Sequence, residues 1–219
     1  MTRPTKLPLI LGAAILAAGG IYLALNLIGL EQPTYRVVYE SNGIEYRQYD
    51  PYLVSETVIA PSEGYKDAGD EGFRRLFGYI NGGNSGQSKI AMTVPVAQTS
   101  ASEKIAMTVP VQQTSAEEGW RVAFMLPTEY TLETAPQPAD PRVAIREVPG
   151  RLTAALRFSG RWTEGNFAEK RVELLEALEE AGVTPVGGVQ SAFYNAPFSL
   201  PLLRRNEVMV EVGDLPVVR

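Results

Sequence analysis

Residues 152–163, Leu152-Thr153-Ala154-Ala155-Leu156-Arg157-Phe158-Ser159-Gly160-Arg161-Trp162-Thr163, decide the fold. Leu152, Ala154, Leu156 and Phe158 recur at every second position, the pattern of a strand with one buried face. Ser159-Gly160 then turns the chain, and Thr163 stands where a helix N-cap is expected. The helix that follows ends at Gly182. Its apolar stripe is read as Phe167, Ala168, Val172, Leu174, Leu175, Leu178 and Ala181, with glutamates and lysine forming a wet opposite face.

The same order of elements occurs upstream. Tyr35–Glu40 and Ile44–Tyr49 flank Ser41-Asn42-Gly43, a hairpin signal because Asn-Gly tolerates positive φ at both turn positions. Asp50-Pro51 interrupts the chain, Leu53–Ile59 reads as the next strand, and Pro61–Gly64 as a turn. Tyr65–Ile80 reads as a helix, with Phe73, Leu76, Phe77 and Ile80 on one face, stopped by Asn81-Gly82-Gly83-Asn84. Trp120–Leu126, Val143–Val148, Val189–Tyr194 and Glu207–Val212 supply further strands. Strand, turn and helix thus occur twice, in two similar halves. Strands outnumber helices and are joined mostly by turns, which predicts an α+β fold with a largely antiparallel sheet.

A sharper repeat lies in the middle. Lys89-Ile90-Ala91-Met92-Thr93-Val94-Pro95-Val96 returns, fifteen residues later, as Lys104–Val111, and Gln98-Thr99-Ser100 returns as Gln113-Thr114-Ser115. Ile90, Met92, Val94 and Val96 fall on one face of an expected strand. Proline cannot donate to a ladder, so each copy belongs at an edge or a strand end. The reading is a local tandem duplication that adds a strand or a long hairpin.

The chain holds neither cysteine nor histidine. That removes disulfides, thiolate nucleophiles, zinc fingers, Ser-His-Asp triads and His-ligated metals together. Residues 34–219 carry eighteen basic against twenty-four acidic side chains with no basic cluster, a poor match to nucleic acid. Gly82–Lys89 lacks the spacing of a phosphate loop, and Ser85 has neither a nucleophile-elbow context nor a histidine base. No carboxylate pair sits in an apolar context that would mark acid–base catalysis. These absences point to a binding protein and not an enzyme.

Arg3 and Lys6 precede Leu7–Leu30, twenty-four residues without a charge. At about 1.5 Å per residue, this run spans a hydrocarbon core of about 30 Å. It exceeds the apolar region of a signal peptide, and no clean small-residue cleavage site follows it, so the expectation is one uncleaved transmembrane helix. Basic residues before it and Glu31 after it keep the N-terminus inside. Residues 1–33 are then anchor and linker, and residues 34–219 form a domain facing the periplasm or exterior of the inner (cytoplasmic) membrane.

Several stretches together resemble the SOUL heme-binding family. They are Tyr35–Tyr49, Leu76–Asn84, Lys89–Val96, Phe124-Met125-Leu126-Pro127, Ile145–Pro149, Arg157–Thr163, Tyr194-Asn195-Ala196-Pro197 and Leu203-Arg204-Arg205-Asn206-Glu207-Val208. The matches run in order from about residue 35 to 212, nearly the whole of the second segment. The second copy of the Lys89–Val96 string departs from the family pattern of one copy. The resemblance implies a distorted β-barrel of two related halves flanked by two helices. It also implies non-covalent binding of heme or a related tetrapyrrole. Of the family's binding modes, only an apolar cleft beside the first helix applies to a chain without histidine, and it maps onto Phe73 and Phe77, with Leu76 and Ile80 nearby. On pattern alone these four residues read first as core packing and only second as ligand contacts. Arg74 and Arg75 adjoin them and are placed to pair with propionates, against plain solvation as the simpler reading. Arg204 and Arg205 read as structural ion pairs or caps with Glu207 and strand ends. Met92, Met107, Met125 and Met209 read as core fillers, so no axial iron ligand is assigned. The expected role is tetrapyrrole carriage, buffering or delivery at the membrane surface. The alternative is a non-catalytic accessory subunit of an integral membrane complex.

Overall fold

A computed structural model describes residues 30–60, 64–86, 89–100, 119–195 and 198–216. The expected anchor, apart from Leu30, and the second copy of the duplicated string, with Met107, lie outside the described residues. No helix among the described residues is long and apolar enough to cross a membrane.

The elements, in chain order, are β1 (Tyr35–Ser41), β2 (Ile44–Tyr49), β3 (Tyr52–Ile59), α1 (Tyr65–Ile80), β4 (Val96–Ser100), β5 (Trp120–Met125), β6 (Val143–Val148), β7 (Arg151–Phe158), α2 (Glu164–Glu180), β8 (Gln190–Phe193) and β9 (Asn206–Glu211). All strands join one curled antiparallel sheet, in the order β1-β2-β7-β9-β8-β4-β5-β3-β6. The α+β expectation stands. In place of a closed barrel the sheet is a half-barrel, because β1 and β6 are its ends and do not pair with each other. Edge strand β1 carries a register shift between Val37 and Tyr39, a common device for blunting an exposed edge.

The two halves repeat one pairing scheme. In the first, β3 leads into α1, and β5 pairs with both β3 and β4. In the second, β7 leads into α2, and β9 pairs with both β7 and β8. The halves meet where β4 pairs with β8. They also exchange their leading strands: β2, which precedes β3, pairs with β7, and β6, which precedes β7, pairs with β3. Each helix covers its own half. Leu76, Tyr79 and Ile80 of α1 bury against Leu53, Val122 and Phe124, while Phe167, Leu174 and Leu178 of α2 bury against Tyr46, Ala154, Val208 and Val210.

Local signals act as read. Asn42 and Gly43 both take positive φ (52° and 75°) in the β1–β2 turn. The Thr163 hydroxyl accepts from the Asn166 N–H at 3.3 Å, and Gly182 closes α2 at φ 69°. Two readings are corrected. Val172 and Leu175 of α2 are exposed, because at about 100° per residue they point well away from the Leu174–Leu178 line. Also, Ile90–Pro95 is not a strand. Ile90 and Val94 are buried, but ladder pairing begins only at Val96, after the proline that cannot donate. The first copy of the duplicated string therefore feeds β4.

Gly72 shows how closely α1 lies on the sheet: a methyl group there would sit 2.5 Å from a Val122 methyl, whereas one at Gly78 would meet nothing. Gly72→Ala should therefore destabilise the protein by about 1–3 kcal/mol. Gly78→Ala should stabilise it by about 0.5–1 kcal/mol through helix propensity. Urea titrations check both, and equal effects at the two sites would refute this packing. Deleting residues 98–112 rebuilds the β4 sequence Val-Ala-Gln-Thr-Ser from Val96, Ala97 and 113–115. That variant should still unfold cooperatively, as measured by circular dichroism.

Candidate functional site

One flank of α1, at the border of the core, carries an aromatic platform. Phe73 and Phe77 are one turn apart, with ring centroids 5.8 Å apart and planes only 11° from parallel. Phe73 is half-buried, and its other contact is the Phe124 ring of β5 at 5.3 Å, edge-on. Phe77 is 43 % exposed. Helical spacing stacks the two rings, and the sheet beneath holds the inner one, so the outer ring offers a flat, preorganised apolar surface. Leu76 and Ile80 lie beneath the pair, buried in the α1 core. Arg74 is exposed and pairs with Glu71. Arg75 turns toward the sheet, where it donates to Glu71 at 2.7 Å and to the Thr57 hydroxyl and Val58 carbonyl at 3.3 Å. The Glu71 carboxyl is held below its ordinary value by its bond to Arg75, against a smaller desolvation effect. Of the six candidates, Phe73, Phe77 and Arg74 thus reach the surface together, Arg75 is committed to the sheet, and Leu76 and Ile80 support from below.

Sequence reasoning missed a second polar assembly, inside the second half. Glu207 on β9 is fully buried and accepts two hydrogen bonds from Arg47 on β2, at 2.6 and 3.0 Å. It also accepts from the Tyr194 hydroxyl and the Arg205 guanidinium, both at 2.9 Å. Arg47 additionally donates to Tyr49 and Glu45 and lies 4.6 Å from the Tyr35 ring centre. Burial pushes the Glu207 carboxyl up, but the bonds and charges of Arg47 and Arg205 outweigh it and hold the group below its usual range. Burial pushes the Tyr49 hydroxyl up to about 12, so it remains protonated. Only Arg205 and Glu207 of this assembly had been paired from the sequence. Arg47 sits 160 positions from Glu207, in a strand, Ile44-Glu45-Tyr46-Arg47-Gln48-Tyr49, where it is one of two charged residues and carries no mark of its distant partner.

Neighbouring motifs converge on the same region. Trp162 donates its indole N–H to buried Asn206 at 2.7 Å, and Asn206 donates to the Gly160 carbonyl at 3.3 Å. Asn195 accepts from the Arg205 backbone at 2.6 Å, while the Arg205 guanidinium stacks 3.8 Å from the Tyr194 ring centre. Arg204 lies 4.5 Å over Trp162 and donates to the Ser199 carbonyl. Met125 and Met209 are buried and Met92 packs at the edge of the α1 core. Among the described residues, no group of three or more acidic side chains is placed to hold a metal ion.

The strings that meet here identify the chain. The model of the SOUL heme-binding proteins matches residues 30–211. The protein belongs to the SOUL family. No curated protein matches the sequence. Among solved structures, the fold is similar to the EcmrR C-terminal domain, at 9 % identity over 83 % of this chain and 99 % of that one, with a TM-score of 0.52. It is also similar to EcmrR in a DNA-bound transcription complex, at 10 % identity over 92 % of this chain and 65 % of that one, with a TM-score of 0.51. At such identities the likeness is one of fold. In this SOUL protein the Arg204–Val208 string builds the interior around Glu207, and the ring-binding candidates lie elsewhere, on α1.

Replacing Glu207 with glutamine leaves buried Arg47 and partly buried Arg205 against a neutral partner. It should cost about 3–5 kcal/mol of stability. Because the Glu207 carboxyl is depressed in the folded state, its contribution is complete above the unfolded-state value and is lost as pH falls through the folded one. Wild-type stability should therefore drop below about pH 4.5 more steeply than that of Glu207→Gln, as read by urea midpoints across pH. Parallel profiles would show that the carboxylate is not stabilised by this assembly.

Proposed function

We propose that this SOUL protein binds heme or a related tetrapyrrole non-covalently against α1, at the membrane surface, for carriage, buffering or delivery. It acts as a binding module and not as an enzyme. The observation that carries this reading is the Phe73–Phe77 stack, an exposed aromatic surface held rigid by Phe124 in a chain whose family binds heme. A flat macrocycle covers such a surface without reorganising it, and exposed Arg74, next in sequence to Phe73, would meet a propionate by exchanging its Glu71 partner. The heme would supply its usual redox and ligand chemistry at the iron, and the chain assigns no residue to that iron. The apolar run Leu7–Leu30 supports placement at the inner membrane, with the domain on the periplasmic or exterior side.

A second reading, an accessory subunit docked on an integral membrane complex, is favoured by one feature. Phe198, Leu200, Leu202 and Leu203 are all exposed in the β8–β9 connection. That connection ends at Arg205, whose guanidinium donates at 3.1 Å to Gln32, two residues after the apolar run.

Titration of the full chain with hemin, zinc porphyrin and metal-free porphyrin separates the readings. Burying one large aromatic contributes roughly 1.5–3 kcal/mol, so Phe73→Ala or Phe77→Ala should each weaken binding about ten- to hundredfold. The three porphyrins should bind with similar affinity, because ring contact carries the energy. Charge reversal at Arg74 or Arg75 should cost less. Circular dichroism confirms that each variant is folded. Hemin affinity unmoved by both phenylalanine changes would remove this site. Absence of a Soret band together with stoichiometric co-purification of membrane partners would favour the accessory role.

A further inference from the structure

We infer a second binding site, on the opposite face of the sheet from α1, for a small organic anion with an apolar body. Strand alternation separates the two faces: Val122 and Phe124 of β5 point to α1, while Arg121, Ala123 and Met125 point the other way. There they line an open groove, which also receives residues from β3, β4, β6, β7 and β8. Its floor is apolar, with Val54, Ala123, Met125 and Val148.

Charge decides what it takes. Three arginines line the groove, Arg121, Arg146 and Arg151, and no carboxylate does, in a chain whose net charge is −5. The acidic groups around it leave two of the three weakly engaged. Glu56 pairs closely with Arg146, at 2.9 Å, but stands 3.9 Å from Arg121. Glu211 stands 3.6 Å from Arg151, whose other contact is Gln190 at 3.5 Å. The Arg121 Nε is buried and has no hydrogen-bond partner. Donors left over at the rim of an apolar floor match a carboxylate on a hydrocarbon or aromatic body: guanidinium to the head, floor to the tail.

The test uses the full chain in nanodiscs of zwitterionic lipid, with empty nanodiscs as the blank, and 2-naphthoate as the probe against its neutral isostere 2-naphthamide. Calorimetry should show naphthoate binding at least about tenfold tighter than the amide, the margin of one charge-assisted hydrogen bond. Arg121→Gln and Arg151→Gln should each weaken naphthoate about tenfold. Arg121→Lys should restore part of the affinity, which a merely misfolded variant would not. Arg74→Gln and Phe77→Ala, on the other face, should leave it unchanged, so the groove and the α1 site succeed or fail separately. Equal binding of acid and amide overturns the proposal, as does naphthoate affinity indifferent to Arg121 and Arg151. Competitive displacement of naphthoate by hemin would also overturn it, by making the groove part of a tetrapyrrole site.

Discussion

A single buried carboxylate organises the second half of this protein. Glu207 has lost its water and receives four hydrogen bonds, from Arg47, Tyr194 and Arg205, which between them tie β2, the end of β8 and the start of β9. An ionised group in that position is tolerable only when its lone pairs are filled and its charge is met, and both conditions hold. Arg205 carries the connection outward to Gln32, at the point where the chain enters the domain. On the side of the sheet away from the helices, polar complementarity closes the region around β9, and a groove lined from both halves opens on the same side.

That contrast follows from the internal repeat. The two halves share one pairing scheme, and their exchanged leading strands make each half depend on the other for a strand. Equivalent positions have diverged in chemistry. Around β9 the helix-free face is packed and neutralised by Arg47 and Glu207. Across β5, β3 and β6 the corresponding face carries Arg121 and Arg146, which share Glu56 at 3.9 and 2.9 Å. The helix faces diverge as well. α2 shows solvent mainly charge, whereas α1 places Phe77 outside the core on top of Phe73.

The family strings take on a physical meaning in this light. Arg157–Thr163, Tyr194–Asn195 and Arg204–Val208 converge through Trp162–Asn206, Asn195–Arg205 and Tyr194–Glu207. They specify the interior and are not themselves the ring-binding candidates. Membership in the family therefore says more about how the sheet is held than about where a ligand touches it.

By itself the sequence determined everything that depends on neighbours along the chain. Asn42-Gly43 makes the hairpin, Thr163 and Gly182 bound α2, and the alternation through Leu152–Phe158 makes β7, because turn, cap and pleat are local geometries. The Phe73–Phe77 spacing likewise predicted a shared face. Only the tertiary structure decided which residues on a face reach solvent: Leu76 is buried and Phe77 is not, because the sheet approaches α1 from one side. It also decided that Pro95 delays β4 until Val96, and that Val172 and Leu175 stay outside the core. Above all, it paired Arg47 with Glu207 across 160 positions and gathered Arg121, Arg146 and Arg151 around one groove. Those placements come from strand order and register, which pair residues far apart in the chain and leave no periodic trace in it.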